Sequence, residues 1–522
     1  MKKEKNQNIK FIFAFIFLLI LTVFTVWFLY FKGDIFEKRN IFSDEVKIIR
    51  ESKNIEIELT QEDVDGIYNE HKAKINLNDL SIIGNGAYEE RSVITIAKSG
   101  VYYFYGQNEN ANIIVDAKDG EVVLVFDNVK LTSINTAVIN CISAKKLTIN
   151  IPEGTRTELD DGNNYSEFTG EDEPNSLIYC KADLIINGKG TLRVKANYKD
   201  GIFAQGNLKI LNNTVSINAK ENGIVGKSVF FNESSMSITS NKTGIETTDE
   251  ENGFVFVMNG ETSLTSHGNG IYAKSEASIN DNAIINIAVD GEEESSFALK
   301  AGKEVTINSS IINIESTGVG IQSDGYMIIN GENISVSARK KAFFSENSLI
   351  INKGTINITS SDKGIESHYI EIADGQLMLK TDGCALESNG SILVKGGKVE
   401  IAGPTDNQNG PINYKRSFDM DGGEMLYYGA VGMWKDASPS STLNTASFIV
   451  FANQGDVVKI LNDNDEEIVV VNLAKGMQRF SYSSNKIEIG KTYRILINDE
   501  EKSKLVVNNV VTIDQITSQQ EL

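Results

Sequence analysis

A four-residue phrase that begins with Gly-Ile returns at regular intervals through the middle of this 522-residue chain. The intact copies are GIFA at Gly201, GIVG at Gly223, GIET at Gly244, GIYA at Gly270, GIQS at Gly320 and GIES at Gly364, and the degenerate copies are SFAL at Ser296, AFFS at Ala342 and ALES at Ala385. Subtracting successive start positions gives spacings of 21 to 26 residues. A period in this range indicates a solenoid, in which one repeat is a single turn that buries its apolar side chains only against its neighbours.

The positions within the phrase differ in how much they vary. The second position is always large and apolar, and the fourth is small in all copies but one. Because side chains alternate between the two faces of a strand, we expect the constant positions to point inward and the variable third position to point to solvent. This outward column is predicted to contain Phe203, Val225, Glu246, Tyr272, Ala298, Gln322, Phe344, Glu366 and Glu387.

Each phrase is followed by a second alternating run of β-branched residues, such as TVSINA from Thr214 to Ala219. Polar turns with Gly or Asn separate the runs, and no window has helical periodicity. Two or three short strands in every repeat predict an all-β fold, a parallel β-helix. A leucine-rich repeat would need a regular leucine pattern and a helix in each repeat, and the sequence has neither.

The N-terminal residues 1–32 are predicted to be a membrane anchor. Phe11 to Phe31 is a run of 21 residues without a charge, which is long enough to cross a bilayer core. Lysines before this run place the N terminus in the cytoplasm, so a single-pass protein of the cell membrane with its bulk outside the cell is expected. A cleaved signal peptide stays the alternative, although no small-residue cleavage site follows. The charged residues 33–81 are predicted to be a linker or stalk.

Two further regions complete the predicted organisation. The β-helix is expected over residues 82–436, and residues 437–522 are expected to form a small antiparallel β unit and a tail. Alternating runs such as SFIVFA and DVVKILND support the second region. A solenoid needs such a cap because an open end strand is an aggregation edge.

The repeat also relates two of the three cysteines. Aligning TAVINCISAKKLTINI with NSLIYCKADLIING places Cys141 over Cys180 on neighbouring turns. Outside the cell the pair could form a disulfide. Directly stacked parallel positions have poor disulfide geometry, so we favour two small apolar residues stacked in the core.

Composition excludes several classes of function. The net charge of −21 argues against nucleic acid, because phosphates need a basic surface. Three isolated histidines (His71, His267 and His368) give no basis for a zinc site or a Ser-His-Asp triad. The sequence has no phosphate-binding or dinucleotide-binding glycine motif.

Carboxylates are the abundant reactive groups, in the clusters Asp160–Asp161, Glu171–Glu173, Asp249–Glu251 and Glu292–Glu294. Carboxylates stacked about 5 Å apart repel each other, and Ca²⁺ relieves this repulsion while taking oxygen ligands. We therefore predict at least one calcium site. A solvated acidic surface is the alternative interpretation for most of these residues.

The outward column also carries three aromatic residues, Phe203, Tyr272 and Phe344. Rings on a flat β face can stack on the apolar C–H faces of sugars. Ordinary exposed aromatic residues are the alternative.

The region from about Ile82 to Asn498 resembles a family of surface carbohydrate-binding β-helix proteins of anaerobic Gram-positive bacteria. The phrases that carry the resemblance are ITIAKSGVYYFYG, LTINIPEGTRTELDDG, EPNSLIYCKADLIINGKGTLRV, NYKDGIFAQGNLKI, NAKENGIVGKSV, NGPINY and GKTYRILI. The resemblance implies a right-handed parallel β-helix with bound Ca²⁺, similar in fold to pectate lyases. It also implies binding of polygalacturonate, an acidic plant polysaccharide, and of cellulose.

The resemblance adds site residues to those of the repeat. Asp183 and Asp200 match acidic positions of the family, and Asp160 and Asp161 match another acidic phrase. The candidate metal ligands are Asp160, Asp161, Asp183, Asp200 and Glu246, and the candidate ligand-binding residues are Phe203, Tyr272, Phe344, Glu366 and Glu387. The family has a lysine after Gly-Ile where this chain has other residues, which removes basic groups that could meet a uronate.

Three functions are consistent with these features. The leading hypothesis is a membrane-anchored extracellular carbohydrate-binding protein that is not an enzyme. A cell-surface adhesin or structural spacer is the first alternative. A polysaccharide lyase is the second, because Lys181, Lys199 and Lys227 lie near turns where a base beside bound calcium would be needed.

Overall fold

The computed structural model describes residues 57, 59–118, 120–165, 174–291, 293 and 295–514. The predicted membrane anchor and residues 33–56 of the predicted linker lie outside these described residues. Within them, no helix is both long and apolar enough to cross a bilayer.

The described chain is a parallel β-solenoid of about 14 turns, which confirms the all-β solenoid predicted from the repeat. A turn contributes strands to three parallel ladders, which we call sheet 1, sheet 2 and sheet 3. The one described α-helix, α1 (Gln61–Asp65), precedes the first strand and is capped by the Thr60 side chain.

Sheet 1 contains the repeated phrase. Its separate strands are Val93–Ile96, Asn112–Asp116, Ile139–Ser143, Ser176–Cys180, Asp200–Ala204, Ile224–Gly226, Thr243–Thr247, Asn269–Ala273, Phe297–Ala301, Val319–Ser323 and Ile412–Tyr414.

Sheet 2 follows sheet 1 in each turn. Its separate strands are Ala73–Asn76, Lys146–Ile151, Asp183–Gly188, Leu208–Leu211, Glu276–Asn280, Glu304–Asn308, Tyr326–Asn330 and Ser417–Met420.

Sheet 3 completes the turn. Its separate strands are Arg156–Asp161, Thr191–Ala196, Thr214–Ala219, Ile284–Val289, Ile311–Ser316, Asn333–Ala338, Thr355–Ser360, Gln376–Lys380, Lys398–Ala402 and Glu424–Gly429.

Seven long strands belong to two sheets each. Sheets 2 and 3 share Gly100–Asn108, Glu121–Ser133, Val229–Ser240 and Phe254–Ser266, and sheets 1 and 2 share Lys341–Ile351, Lys363–Ile372 and Leu386–Val394.

Inward side chains stack on their counterparts one turn away. Ile202 pairs with Ile224, and Ile224 pairs with Ile245. All three are fully buried. Burying such a side chain contributes about 1.5–3 kcal/mol, so each turn gains its stability from its neighbours.

One register prediction was wrong. The phrase SFAL placed Ala298 in the outward column, but Tyr272 pairs with Lys300 and Ala298 is fully buried. Ala298 lies opposite Gly270 and takes the glycine position of the phrase, as Ala342 and Ala385 do in their copies. This turn therefore reads ALKA, and its outward residue is Lys300.

The two aligned cysteines are paired as predicted. Cys180 lies opposite Cys141 on the adjacent turn. Both are fully buried free thiols, which confirms the interpretation as stacked core residues.

The N-terminal end of the solenoid begins within the segment predicted as a linker. Ala73–Asn76 pairs in parallel with Gly100–Asn108 and antiparallel with Ser81–Gly84. A second antiparallel pair joins Ala87–Glu90 to Val93–Ile96.

The C-terminal end carries the predicted antiparallel β unit. Arg479–Ser484 pairs antiparallel with the last strand of sheet 3 and with Asn444–Phe448, which in turn pairs with Val511–Ile513. A separate four-stranded antiparallel sheet contains Val457–Leu461, Glu467–Asn472, Thr492–Ile497 and Glu500–Val506. This unit shares an apolar core with the last two strands of sheet 3, through Ala402, Leu426 and Tyr428.

Candidate functional site

The third-position residues of the sheet 1 strands form a continuous row, which we call the sheet 1 row; the prediction that they all point to solvent was wrong for Val225, which is buried. Strand pairing places them in register from turn to turn, in the order Tyr179, Phe203, Val225, Glu246, Tyr272, Lys300, Gln322, Phe344, Glu366, Glu387 and Asn413. Strands are about 4.8 Å apart, so the row is roughly 50 Å long. It contains all five predicted ligand-binding residues.

The first aromatic residues of the row are stacked on each other. The ring centroids of Tyr179 and Phe203 are 5.1 Å apart and the planes differ by 10°. Sequence reasoning named Phe203 but missed Tyr179. The signal was present, because the tyrosine of NSLIYC aligns with the phenylalanine of GIFA.

Two lysine side chains lie close to the ring of Tyr272. The ammonium nitrogen of Lys274 lies 4.3 Å from the ring centroid, and that of Lys300 lies 5.7 Å from it. The Phe297 ring meets Tyr272 edge-on at 5.5 Å. A ligand therefore meets an aromatic ring that is already associated with cations.

Phe344 has a similar neighbour. The Lys341 ammonium lies 4.2 Å from the centre of the Phe344 ring and donates a hydrogen bond to Glu366 at 3.0 Å. A face of each of the three predicted aromatic residues thus packs against a neighbour, and a sugar would contact the remaining ring surface.

Two of the three glutamates of the row, Glu366 and Glu387, share one lysine. Lys363 lies 2.9 Å from Glu366 and 2.6 Å from Glu387. Burial alone would raise the pKa of Glu366, but the hydrogen bonds from Lys363 and Lys341 outweigh it and hold that pKa below its usual value. Burial alone would lower the pKa of Lys363, and its hydrogen bonds to Glu387 and Glu366 raise it instead. Glu366 is therefore an ionised carboxylate at neutral pH, paired with the ammonium groups of Lys363 and Lys341.

The expected shortage of basic groups on this face was wrong. Lys300 lies in the row itself and pairs with Asp324 at 2.9 Å. Lys274, Lys341 and Lys363 flank the row. Sequence reasoning missed them because they stand outside the third position of the phrase and reach the row only through the stacking of turns.

Asp160 and Asp161 lie on sheet 3, away from the row. Asp161 is 3% exposed and accepts hydrogen bonds from the Tyr165 hydroxyl at 2.6 Å and from the Asn197 backbone N–H at 2.5 Å. The Asn197 side chain donates to Asp160 at 2.6 Å. Burial raises the pKa of Asp161 to about 6, against these hydrogen bonds. The Asp161 carboxylate is thus occupied by protein donors.

Asp183 and Asp200 also accept hydrogen bonds at turns. Asp183 begins a strand of sheet 2 and accepts from the Asn207 backbone N–H at 2.8 Å. Asp200 begins a strand of sheet 1, is 4% exposed, and accepts from the Asn222 backbone and side chain at 2.9 and 3.0 Å. Burial raises the pKa of Asp200 to about 6.

The five candidate metal ligands are not brought together. The fifth, Glu246, is in the sheet 1 row, 3.5 Å from Lys274. Across the described part of the chain, no group of three or more His, Cys, Asp or Glu side chains is placed to hold a metal ion. The candidate ligands therefore do not fit a single resident calcium site. The predicted clusters Glu171–Glu173 and, in part, Glu292–Glu294 lie outside the described residues.

The lysines considered for a lyase have other contacts. Lys227 lies 3.6 Å from Asp249, and the Lys199 ammonium lies 4.8 Å from the Tyr198 ring centroid. Lys181 is at the corner between sheets 1 and 2, where its backbone N–H bonds to Cys141. None of the three lies beside a described carboxylate cluster of the kind that would hold a metal.

Comparison with known proteins gives three findings. Residues 90–341 and 316–427 match the profile of a family described as carbohydrate-binding domain-containing proteins. A carbohydrate-binding domain-containing protein of Acetivibrio thermocellus is 36% identical over 146 residues, which is 28% of this chain and 49% of that protein. The chain thus spans about half the length of this relative. The solved structure of a polysaccharide lyase-like protein from C. thermocellum, a gadolinium derivative, matches 42% of this chain and 91% of its own at 30% identity, with a TM-score of 0.40.

Proposed function

Since this chain belongs to the family of carbohydrate-binding domain-containing proteins, we propose that it binds a polysaccharide extended along the sheet 1 row. The observation that carries this proposal is the unbroken register from Tyr179 to Asn413. A row with one outward side chain per turn presents contacts at regular intervals, as a polymer of repeating sugar units requires.

The chemistry of the row suits hydroxyl and carboxylate groups. Lysines, glutamates, Gln322 and Asn413 supply donors and acceptors, and the aromatic rings supply apolar surface. We propose polygalacturonate as the preferred ligand, with cellulose as the second. Support for an acidic ligand comes from the ammonium groups of Lys300, Lys341 and Lys363, which can exchange a protein carboxylate for a uronate.

Calcium is part of this proposal as a mobile ion. A chain of net charge −21 repels a polyanion beyond the screening length of about 8–10 Å. A divalent cation that binds uronate carboxylates would lower this repulsion. On the row, such an ion would compete with Lys363 for Glu366 and Glu387.

We further propose that the protein binds without cleaving its ligand and that residues 1–32 anchor it in the cell membrane with its bulk outside. Support for the first point is that Lys227 pairs with Asp249 and that the Lys199 ammonium packs on the Tyr198 ring. Support for the second is the uncharged run from Phe11 to Phe31 with lysines before it.

The test is calorimetric titration of polygalacturonate into the full-length chain in mild detergent, in parallel with Ca²⁺ and with EDTA. Replacing Lys300 and Lys341 together by alanine should weaken binding by roughly tenfold or more, because two charge-assisted contacts are lost. Lys195→Ala on sheet 3 is the matched control, since Lys195, like Lys300, forms a lysine–aspartate pair, with Asp160 at 3.3 Å.

The possible outcomes distinguish the three functional hypotheses. Equal binding by the double variant and wild type would remove the sheet 1 row from the proposal. No binding of polygalacturonate or cellulose in either buffer would favour the adhesin or spacer. A rise in absorbance at 235 nm with polygalacturonate would show β-elimination and favour the lyase.

A further inference from the structure

A concave site lies where the C-terminal β unit meets the end of the solenoid. The cavity has a volume of about 310 Å³. Its lining residues are Thr405, Ala430, Phe451, Ala452, Asn453, Gly476, Met477 and Gln478. Most of them lie beyond residue 427, where the family match ends. This site is therefore separate from the sheet 1 row and from the region that shows the family.

Phe451 gives the cavity an exposed aromatic wall. Its side chain is 56% exposed, and no other described aromatic ring stacks on it. The neighbouring backbone is fixed, because Ala452 and Met477 exchange two backbone hydrogen bonds of 3.1 and 2.9 Å. Phe451 therefore offers an exposed apolar ring face to a ligand that enters the cavity, on a backbone that is already ordered.

Uncharged polar side chains complete the lining. Gln478 accepts a hydrogen bond from the Val431 backbone N–H at 3.1 Å through Oε1, and no hydrogen bond joins its Nε2 group to another described residue. Asn453 is held by its backbone, which donates to Asp456 at 2.8 Å. Thr405 adds a hydroxyl to the lining. The lining thus offers amide and hydroxyl groups beside an aromatic ring, and no charged side chain.

We propose that this cavity binds a pyranose ring of a neutral glycan. The apolar C–H face of the sugar would cover Phe451, and its hydroxyls would bond to Gln478, Asn453 and Thr405. A uronate is excluded from this role because its carboxylate would find no cation in the lining. The site thus differs in ligand class from the lysine-bearing sheet 1 row, and the two together would give a bivalent protein.

The test is calorimetry on the full-length chain with β-1,4-linked hexasaccharides of glucose, xylose and mannose. Wild type should bind at least one of them, and Phe451→Ala should weaken that binding by roughly tenfold or more, because the apolar surface that the sugar covers is lost. Phe451→Tyr should bind like wild type, since the ring is kept. Thr405→Val should weaken binding at nearly constant volume.

Ile489→Ala is the matched control, because Ile489 is also on the C-terminal unit and is 57% exposed. Its binding should equal that of wild type. The proposal is overturned if none of the three hexasaccharides binds, or if Phe451→Ala binds as well as wild type. Failure of the sheet 1 proposal would give a different result. Polygalacturonate would then bind the Lys300 and Lys341 double variant as well as it binds wild type, independently of any substitution at Phe451.

Discussion

The rings of Tyr179 and Phe203 are stacked at a centroid distance of 5.1 Å on adjacent turns of sheet 1. Parallel pairing alone brings them together, since each is the outward residue of its strand. The pair is therefore both the start of the candidate binding row and a contact between two turns of the solenoid.

This stacking predicts energetic coupling between the two residues. In a double-mutant cycle of Tyr179→Ala and Phe203→Ala, we expect a coupling free energy of about 0.5–1.5 kcal/mol, because either single change already removes the ring contact. Urea unfolding monitored by circular dichroism gives the four free energies of unfolding, those of wild type, the two single variants and the double variant. Strictly additive effects would contradict the stacked geometry.

The shared lysine of the row predicts a stability effect that depends on pH. Lys363→Met keeps the aliphatic length but leaves Glu366 and Glu387 without their common cation. We expect a loss of roughly 1 kcal/mol at pH 7, a modest value because Lys363 is about one-third exposed. The folded pKa of Glu366 is lowered, so this contribution is present above its unfolded pKa and is lost as the pH falls through the folded value.

Urea unfolding at pH 7 and pH 3 checks this prediction. The free energy of unfolding that the variant loses relative to wild type should be smaller at pH 3. Lys380→Met is the matched control, because Lys380 is an exposed lysine on sheet 3. It should change stability little at either pH. An equal deficit of Lys363→Met at both values would show that the lysine acts through packing rather than charge.

Burial of Asp161 predicts the opposite pH dependence. In the folded chain its pKa is about 6, whereas the unfolded value is about 3.9. The folded state binds more protons between these values, so this residue's contribution falls as the pH rises from about 4 to about 6 and is constant above. Asp161→Asn removes that dependence, and the variant should gain about 1–3 kcal/mol relative to wild type between pH 4 and pH 7.

Urea unfolding of wild type and Asp161→Asn across this pH range gives the difference between their free energies of unfolding directly. A difference for Asp161→Asn that does not change with pH would mean that Asp161 titrates as an ordinary exposed carboxylate.

The solenoid could be predicted because its inward positions are nearly invariant. Ile202, Ile224 and Ile245 recur at one period, and the stacking of identical side chains follows from that period alone. The register failed only at Ala298, where alanine replaces the glycine of the phrase and a neighbouring phenylalanine imitates the isoleucine. The alanine alone does not explain the shift, because Ala342 and Ala385 also replace the glycine; the shift came from Phe297, which precedes Ala298.

The site was predictable only in part. Residues in the third position of the phrase, such as Phe344 and Glu366, were found from sequence. Lys341 and Lys363 were not, because their contacts join different turns and depend on how corners stack. The predicted metal ligands all carry carboxylates, but they lie on different sheets. Sequence alone could not show that Asp161 would be enclosed by Tyr165 and Asn197.

The facing cysteines give the last prediction. Cys141 and Cys180 are fully buried and Cys384 is 7% exposed. Hydrogen bonding to Cys180 and burial raise the pKa of Cys141, and burial raises the pKa of Cys384 to about 12. Because the thiolate is the reactive form, we expect Ellman's reagent to label no cysteine in the native chain. In denaturant without reductant all three should react, since the structure has three free thiols. One reactive thiol in denaturant would instead reveal a Cys141–Cys180 disulfide, and rapid labelling of the native chain would contradict the buried positions.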